Sequence, residues 1–251
     1  MISQKWSKLI RSLHQKKYRK AEQLFFVEGE KAVLEVLASD WQVQALFATD
    51  SFLQQHHSLS QKAALVQSCA SDDLVKVGTF ASNDAALAVV KMPDSGDFIA
   101  HNRGWVLVLD QVNDPGNLGT IIRIADWYGI KHIVCSPDTA DCFNPKVIAA
   151  AKGSFLRTTL HYQPLKPLLL HSAVPVYGAY LGGESVHQLT LSQAAGFIVL
   201  GNEANGISSE LECVISRKIT IPAFGGAESL NVGIAAAVIC DNLLRLSQQP
   251  K

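Results

Sequence analysis

The strongest constraint on the fold is the alternation of short apolar runs and helical patterns in the second half of the chain. The run Trp105 to Leu109 is continuously apolar, as in a parallel strand that is buried on both faces. The pattern predicts further strands at 133–135, 176–179, 197–200 and 219–221, and helices at 118–128, 146–152 and from 229 onward. The alternation of strands and helices along the chain predicts a parallel sheet with helices on both faces. Periodicity alone therefore indicates a nucleotide-binding, Rossmann-like α/β domain.

The amino-terminal part predicts a smaller α/β module. Apolar residues recur at helical spacing from Ile2 to Leu13 with basic residues between them, and Lys16 to Lys20 resembles a turn. Short β-like runs follow at 45–48, 64–67 and 86–90. Breaker residues from Met92 to Asp97, and the absence of periodicity through Gly104, predict a boundary. We therefore divide the chain into a domain 1–95, a linker 96–104 and a domain 105–251.

The charge is unevenly distributed, although the formal net charge of the 251-residue chain is zero. Seven basic residues and no acidic residue occur up to Lys20, which leaves the remainder net negative by seven. Such a segment is typical of a protein that meets a polyanion at one end. An ordinary solvated helix face and a mitochondrial presequence are the alternatives, and charge alone leaves all three open.

Several classes of protein are disfavoured by composition. The five cysteines include no CxxC pair, which predicts reduced thiols in a cytoplasmic protein. The eight histidines include no HxxxH or HExxH spacing, so we expect no metal site. No run reaches the roughly 18 apolar residues of a membrane span, so we expect no membrane association.

The first chemical motif is DQVNDPGNLGTIIRIADWYGI, from Asp110 to Ile130. A tight turn at Asp-Pro-Gly follows a strand, and Asn117 then stands at a helix start. At helical spacing Asn117, Thr120 and Arg123 share one face, at the strand edge where doubly wound sheets bind ligands. Spacing alone favours the simpler interpretation, in which Asn117 caps the helix and Arg123 is a surface residue.

Two later motifs have the same strand-to-loop form. FIVLGNEANGIS, from Phe197 to Ser208, leads from a strand into Gly201, where a ligand could approach the backbone, and then to Glu203. ITIPAFGGAESLNV, from Ile219 to Val232, runs from a strand through a loop of small residues into a helix. Such a loop leaves backbone N–H and C=O groups free for a ligand.

Together these phrases resemble the three signature motifs of the SpoU (TrmH-like) RNA ribose methyltransferases of the SPOUT superfamily. Leu24 to Gly29 resembles the "FxVEG" phrase of the family's substrate-binding domain, and Phe143 to Arg157 resembles its "NPKVxRASxGAxFR" segment. The resemblance implies an α/β catalytic domain with a parallel sheet and a deep carboxyl-terminal trefoil knot, after a small ribosomal-protein-like α/β domain that binds RNA. It also implies S-adenosylmethionine as cofactor, structured RNA as substrate (ribosomal in preference to transfer RNA), 2′-O-methylation of ribose, and a homodimer.

The resemblance assigns roles to individual residues. It implies a catalytic site formed by Asn117, Arg123, Glu203, Ser229 and Asn231. Arg123 would position the ribose hydroxyl through the adjacent phosphate or accept its proton, and Glu203 would hold Arg123 or a substrate donor. Cofactor contacts are implied for Gly201, Ile221 and Leu230, and then for Ala179, Leu200, Asn202 and Pro222. RNA contacts are predicted for Lys16, Lys17, Arg19, Lys146 and Lys152.

The chain departs from the family pattern at two places. Ala149 to Lys152 stands where Arg, Ala, Ser and an apolar residue are more usual, which bears on RNA contact. Gly233 stands where Ser or Ala commonly follows "SLNV". A non-catalytic RNA-binding protein of the same fold, acting in ribosome assembly, is the main alternative. A Rossmann oxidoreductase is disfavoured because no GxGxxG loop occurs.

Overall fold

The computed structural model describes residues 1–100 and 103–247, which form two compact units. Residues 101 and 102, within the predicted linker 96–104, lie outside the described residues. The first unit comprises Met1–Asp94 and Asp141–Leu156, and the second comprises Ser95–Ala140 and the chain from Arg157 onward. Within the described residues, no helix has both the length and the apolar character needed to cross a membrane.

The first unit is built on a mixed four-stranded sheet in the order β1-β4-β2-β3. Its strands are β1 (Leu24–Glu28), β2 (Val43–Ala48), β3 (Val66–Ser68) and β4 (Ala86–Lys91). Strand β4 is antiparallel to both β1 and β2, whereas β2 and β3 are parallel. Its first six helices are α1 (Gln4–Ser12), α2 (Lys16–Glu22), α3 (Glu30–Ala38), α4 (Asp50–Gln55), α5 (His57–Ser60) and α6 (Ser71–Val77).

Helix α2 overturns two predictions made from the sequence. The segment Lys16 to Lys20 is helical and not a turn. Arg19 is only 1% exposed, and its guanidinium donates to the carbonyls of Leu13 and His14 at 2.7 and 3.0 Å. The same group pairs with the carboxylate of Asp141 at 2.6 Å. Arg19 is therefore a structural residue and cannot be the RNA contact predicted for it, because its charge is buried and neutralised.

The segment Asp141–Leu156 packs in the first unit, whereas the sequence division placed it in the second domain. It contains helix α8 (Pro145–Ala151). Aromatic contacts account for its position: Phe143 lies 4.7 Å from Phe25, and Phe155 lies 5.8 Å from Trp41, measured between ring centroids. Such pairs add to the stabilisation from burying apolar surface. Periodicity carries no information about contacts between residues so distant in sequence.

The second unit contains a six-stranded sheet in the order β10-β8-β9-β5-β6-β7, and neighbouring strands are parallel throughout its described residues. Its strands are β5 (Trp105–Leu109), β6 (His132–Cys135), β7 (Thr159–Tyr162), β8 (Val176–Ser185), β9 (Gly196–Leu200) and β10 (Arg217–Thr220). Its helices are α7 (Pro115–Trp127), α9 (Leu165–Leu170) and α10 (Val232–Ser247). The predicted parallel α/β architecture is confirmed, while the knot stays a prediction.

Helix α10 begins at Val232 and not at Ser229. The reason is local: Oδ1 of Asn231 accepts hydrogen bonds from the N–H groups of Gly233 and Ile234 at 2.9 and 3.3 Å, as a helix cap does. Gly233 then faces α7, and a Cβ placed on it would lie 3.0 Å from Cγ2 of Thr120. The glycine at this departure from the family pattern lets the two helices approach closely.

Candidate active site

Helix α7 presents Asn117 and Arg123 from the carboxyl end of β5. Asp114 caps the helix, since its Oδ1 accepts from the N–H of Asn117 at 2.8 Å, and Pro115 occupies the first turn. Asn117 is therefore inside the helix, and its side chain is free to serve elsewhere. Arg123 lies further along the helix, is exposed, and has no hydrogen-bond or ion-pair partner among the described residues.

One chain of side-chain hydrogen bonds joins all three motifs. Nδ2 of Asn117 donates to Oε1 of Glu203 at 2.8 Å. Oδ1 of Asn117 accepts from Nδ2 of Asn231, also at 2.8 Å. Because Asn231 simultaneously caps α10, the two amides are fixed in orientation. Glu203 was predicted to hold Arg123 or a substrate donor, but in the structure its carboxylate accepts from Asn117.

The turn after β9 is closed by its own backbone. Asn202 and Gly206 exchange two backbone hydrogen bonds of 2.9 Å. A Cβ on Gly201 would lie 2.1 Å from the carbonyl carbon of Gly206, so the turn itself requires glycine there. The prediction explained Gly201 by ligand approach, and this tight turn is a sufficient reason without one.

Asn202 also holds this turn to the first motif. Its Nδ2 donates to the carbonyl of Gln111 at 2.8 Å, and its Oδ1 accepts from the N–H groups of Ala204 and Asn205. The predicted cofactor contact would have to share groups already engaged in the turn. Sequence reasoning missed Asp110, which is buried and accepts from the N–H of Ser208 at 2.7 Å, although its position directly after β5 was a usable signal.

Strand β8 lies between the strands that carry the second and third motifs. Ala179 directly follows Gly178, which pairs with Val199, so Ala179 and Leu200 are neighbours in register. Leu200 is buried in the core, whereas Ala179 is partly exposed. The pairing of β10 with β8 shifts in register: Lys218 pairs with Gly178, whereas the next residue, Ile219, pairs with Glu184. Residues 179–183 of β8 therefore form a bulge at this edge. Burial raises the pKa of Tyr180 in this bulge, which keeps its hydroxyl protonated.

The loop 222–230 leaves its main chain unpaired. Among the described residues, no backbone–backbone hydrogen bond involves it. Leu230 is 49% exposed, and Ser229 is exposed. Gly201 and Ile221 directly follow β9 and β10, the two strands on either side of β8. That these two residues and Leu230 line one cavity stays a prediction, as does the contact of Pro222.

Four of the five basic residues predicted to contact RNA are available for it. Lys16, Lys17, Lys146 and Lys152 are exposed in the first unit. The ammonium of Lys17 lies 4.6 Å from the centroid of the Tyr18 ring. Among the described residues, no group of three or more His, Cys, Asp or Glu side chains could hold a metal ion.

Comparisons with known proteins cover nearly the whole chain. The model of the SpoU rRNA Methylase family matches residues 104–241, and that of the MRM3-like substrate binding domain matches residues 7–87. A 23S rRNA (guanosine(2553)-2′-O)-methyltransferase of Bacillus subtilis is 31% identical over 93% of each chain.

Solved structures agree with these matches. The structure of a putative RNA methyltransferase of the TrmH family from Porphyromonas gingivalis has a TM-score of 0.86 and 37% identity, covering 98% of this chain and 99% of that one. The AdoMet-bound rRNA methyltransferase from Sinorhizobium meliloti has a TM-score of 0.87 and 25% identity, covering 98% and 97%. With its three motifs joined at one sheet edge, the chain belongs to the SpoU rRNA methylase family.

Proposed function

We propose that the protein transfers a methyl group from S-adenosylmethionine to a ribose 2′-hydroxyl of ribosomal RNA. The observation that carries this proposal is the hydrogen-bonded chain Glu203–Asn117–Asn231, which joins the three motifs through the helix that also bears the unpaired Arg123. The relatives support it: the Bacillus subtilis protein is named as a 23S rRNA 2′-O-methyltransferase, and the Sinorhizobium meliloti structure is described as AdoMet-bound.

The third motif fits this cofactor. Loop 222–230 offers unpaired backbone donors and acceptors, and Leu230 offers an exposed apolar surface. Adenine, ribose and the amino-acid group all present hydrogen-bonding edges, and none is a phosphate that needs a glycine-rich loop. When bound, the cofactor supplies an electrophilic methyl group on a sulfonium sulfur. We assign Gly201, Ile221 and Leu230 to its pocket, with Ala179 and Pro222 beside them.

Arg123 positions the nucleophile. Its guanidinium keeps its proton at any physiological pH, so it serves as a clamp on the phosphate next to the target ribose and not as a base. A clamped phosphate holds the 2′-oxygen in line with the methyl group, which is the main requirement of the reaction. As the oxygen–carbon bond forms and the carbon–sulfur bond breaks, the hydroxyl proton passes to solvent and the leaving group is a neutral thioether. Asn117 and Asn231 fix the adjacent surface, Glu203 orients Asn117, and Ser229 completes the site from the loop.

The first unit contributes the RNA-binding surface in this proposal. Lys16, Lys17, Lys146 and Lys152 lie against phosphates, which makes binding salt-dependent. A separate domain matched to a substrate-binding model favours a large structured substrate, ribosomal RNA, over transfer RNA. The named relatives are bacterial, so we place this activity in the cytoplasm. The non-catalytic alternative leaves the intact Glu203–Asn117–Asn231 chain unexplained.

We also propose a homodimer formed through the second unit. Trp127 on α7 is 84% exposed and Ile234 on α10 is 53% exposed, and side chains of this kind are enriched at protein interfaces. Sedimentation of the wild-type protein should give a dimer, whereas Trp127→Arg with Ile234→Glu should give a monomer. A wild-type monomer at micromolar concentration contradicts this part of the proposal.

The function is tested with ribosomal RNA and methyl-labelled cofactor. Arg123→Ala should lower kcat/KM by about 100- to 1,000-fold, the usual loss when one positioned electrostatic group is removed. Arg123→Lys should recover little, because a point charge does not reproduce the bidentate clamp. Calorimetry should show unchanged cofactor affinity for both variants. Wild-type turnover in Arg123→Ala refutes the assignment, and a wild type that binds no cofactor refutes the function.

A further inference from the structure

Two sequence motifs that the methyl-transfer site does not use meet in the first unit. Phe26, Glu28 and Gly29 belong to the "FxVEG" phrase at the end of β1, and α8 belongs to the "NPKV" segment. Together with the amino-terminal end of α3 and with Phe80, they line a cavity of about 200 Å³. All the lining residues belong to one compact unit.

An aromatic ring forms one wall of this cavity. Phe80 is half-buried, and no other aromatic ring pairs with it in the described part of the chain. A Cβ on Gly29 would lie 3.0 Å from Cε2 of Phe80, and Gly29 has a φ of +88°, so only glycine allows this approach. The buried carboxylate of Glu28 accepts from the N–H groups of Thr79 and Phe80 at 3.0 and 3.4 Å. These hydrogen bonds fix the backbone of Phe80, and the fixed backbone positions the ring.

The rest of the wall combines apolar surface, two free cations and the exposed carboxylate of Glu30, whose Oε1 lies 3.2 Å from Nε2 of His56. Pro145, Ile148 and Ala149 of α8 supply apolar surface. Lys31 and Lys152 also line the cavity; both are exposed, and neither has an ion-pair partner within residues 1–100 and 103–247. Free ammonium groups beside an apolar slot favour a ligand with a flat ring and a neighbouring negative charge.

Lys152 occupies an unusual position for a lysine. Its φ is +50°, in the left-handed region where a side chain costs about 1–2 kcal/mol that glycine avoids. It is also part of the departure from the family pattern, in which arginine is usual at the position of Ala149. Positions 149 and 152 are three residues apart and both line the cavity.

We propose that this cavity binds one unstacked base of an RNA strand, with the base against Phe80 and the neighbouring phosphates at Lys31 and Lys152. Proteins read single-stranded RNA by stacking splayed bases on aromatic side chains, and lysines neutralise the phosphates. The volume lies below the roughly 300 Å³ at which pockets for larger ligands begin, so it fits a single ring system. This inference rests on the proposed function in one respect only, namely that the bound RNA is ribosomal RNA.

The test measures RNA binding without methyl transfer. The full-length protein is titrated against labelled homopolymers of A, C and U of about 12 nucleotides, and against a duplex of the same length. Single strands should bind more tightly than the duplex, whose bases are stacked. Phe80→Leu keeps the apolar volume but removes the ring, and should weaken single-strand binding by about 5- to 140-fold. Phe80→Trp should retain binding.

A second pair of variants tests the phosphate contact independently of Phe80. Lys152→Asn tolerates the left-handed backbone but removes the charge, and should reduce the slope of log K against log salt by about one. Lys62→Asn, in the same unit but outside the cavity, is the matched control, and its effect should be clearly smaller. Equal affinity in Phe80→Leu, an unchanged slope in Lys152→Asn, or a duplex that binds as tightly as the single strands overturns the proposal.

This inference and the proposed function fail separately. Arg123→Ala should lose methyl transfer, while Phe80→Leu should weaken single-strand binding by the same factor with and without Arg123→Ala, since Arg123 is no part of the cavity. A wild type that shows Phe80-dependent binding but no methyl transfer refutes the function and supports the cavity. A wild type that methylates ribosomal RNA, and whose Phe80→Leu variant binds single strands normally, refutes only the cavity.

Discussion

Asn117→Asp is the most informative perturbation of the proposed active site, because it changes one atom in the group that joins the three motifs. The amide of Asn117 donates to Glu203 and accepts from Asn231, each at 2.8 Å. A carboxylate at this position can still accept from Asn231. It cannot donate to Glu203, and it places a like charge next to that side chain.

The magnitude follows from these two effects. A hydrogen bond to a charged group contributes about 1.5–3 kcal/mol, and the exposed position of this pair argues for the lower end. Two carboxylates about 4 Å apart in water repel by about 1 kcal/mol. If both losses act in the transition state, the barrier rises by about 2.5–3 kcal/mol and kcat/KM should fall by about 70- to 160-fold. The fold should be nearly unaffected, since an acid in the first turn of α7 adds about 0.3–1 kcal/mol of helix stability.

The assay is methyl transfer to ribosomal RNA, with thermal melting as the check on folding. Glu203→Gln alone should lose little, because the new carboxamide oxygen still accepts from Asn117. Combined with Asn117→Asp, it should recover at least about tenfold of the loss, because the new amide donates to the new carboxylate and restores the bond in reverse. Asn205→Asp, on the same turn but without a side-chain hydrogen bond to any described residue, is the matched control. A double variant no more active than Asn117→Asp refutes the role of this bond.

Three further predictions concern the framework. Gly201→Ala should lower the free energy of unfolding in urea by about 1–3 kcal/mol, because a Cβ there clashes with Gly206. Gly225→Ala, where a Cβ meets nothing within 4 Å, should have no effect. Equal urea midpoints for the two variants contradict the conclusion that the turn requires glycine at position 201. Asp141→Asn should cost about 3–5 kcal/mol because it leaves the guanidinium of Arg19 buried without its counter-charge, and a loss below about 1 kcal/mol shows that the pair is solvated. Burial raises the pKa of the Cys240 thiol to about 12, so iodoacetamide at mildly alkaline pH should label the exposed Cys213 first, as mass spectrometry of the native protein would show.

How much of the fold the sequence could predict depended on how much of each element is buried. Strands β5 and β9 are buried at every position, so their apolar runs were unambiguous. Strand β7 forms the sheet edge and presents an exposed threonine and a partly exposed tyrosine at its two ends, so it carried no such signal and was missed. Helix α2 was missed because its buried residue is Arg19, whose carboxylate partner is 122 residues away.

The same limit on prediction from sequence applies to the proposed active site. The family resemblance, and not spacing, assigned Asn117, Glu203 and Asn231 to one site. The topology agrees with it, because each residue follows a strand whose carboxyl end lies at one edge of the sheet. The resemblance could not identify which side chain pairs with which. The bonds that Asn117 makes join residues 86 and 114 positions apart, and they depend on the rotation of α7 about its own axis. That rotation is a property of packing and has no counterpart in periodicity.

The rotation of α7 is also what gives Arg123 its direction. Asn117 and Arg123 are on one face of the helix with Thr120 between them, so a rotation that displaces one displaces all three. The bond to Asn231 holds the first of these residues, and the close approach of Gly233 to Thr120 holds the second. Both constraints come from the start of α10, which is also where the loop assigned to the cofactor ends. The helix that carries the RNA clamp is therefore aligned by the segment that would carry the methyl donor, so that disorder in either one misplaces both reactants.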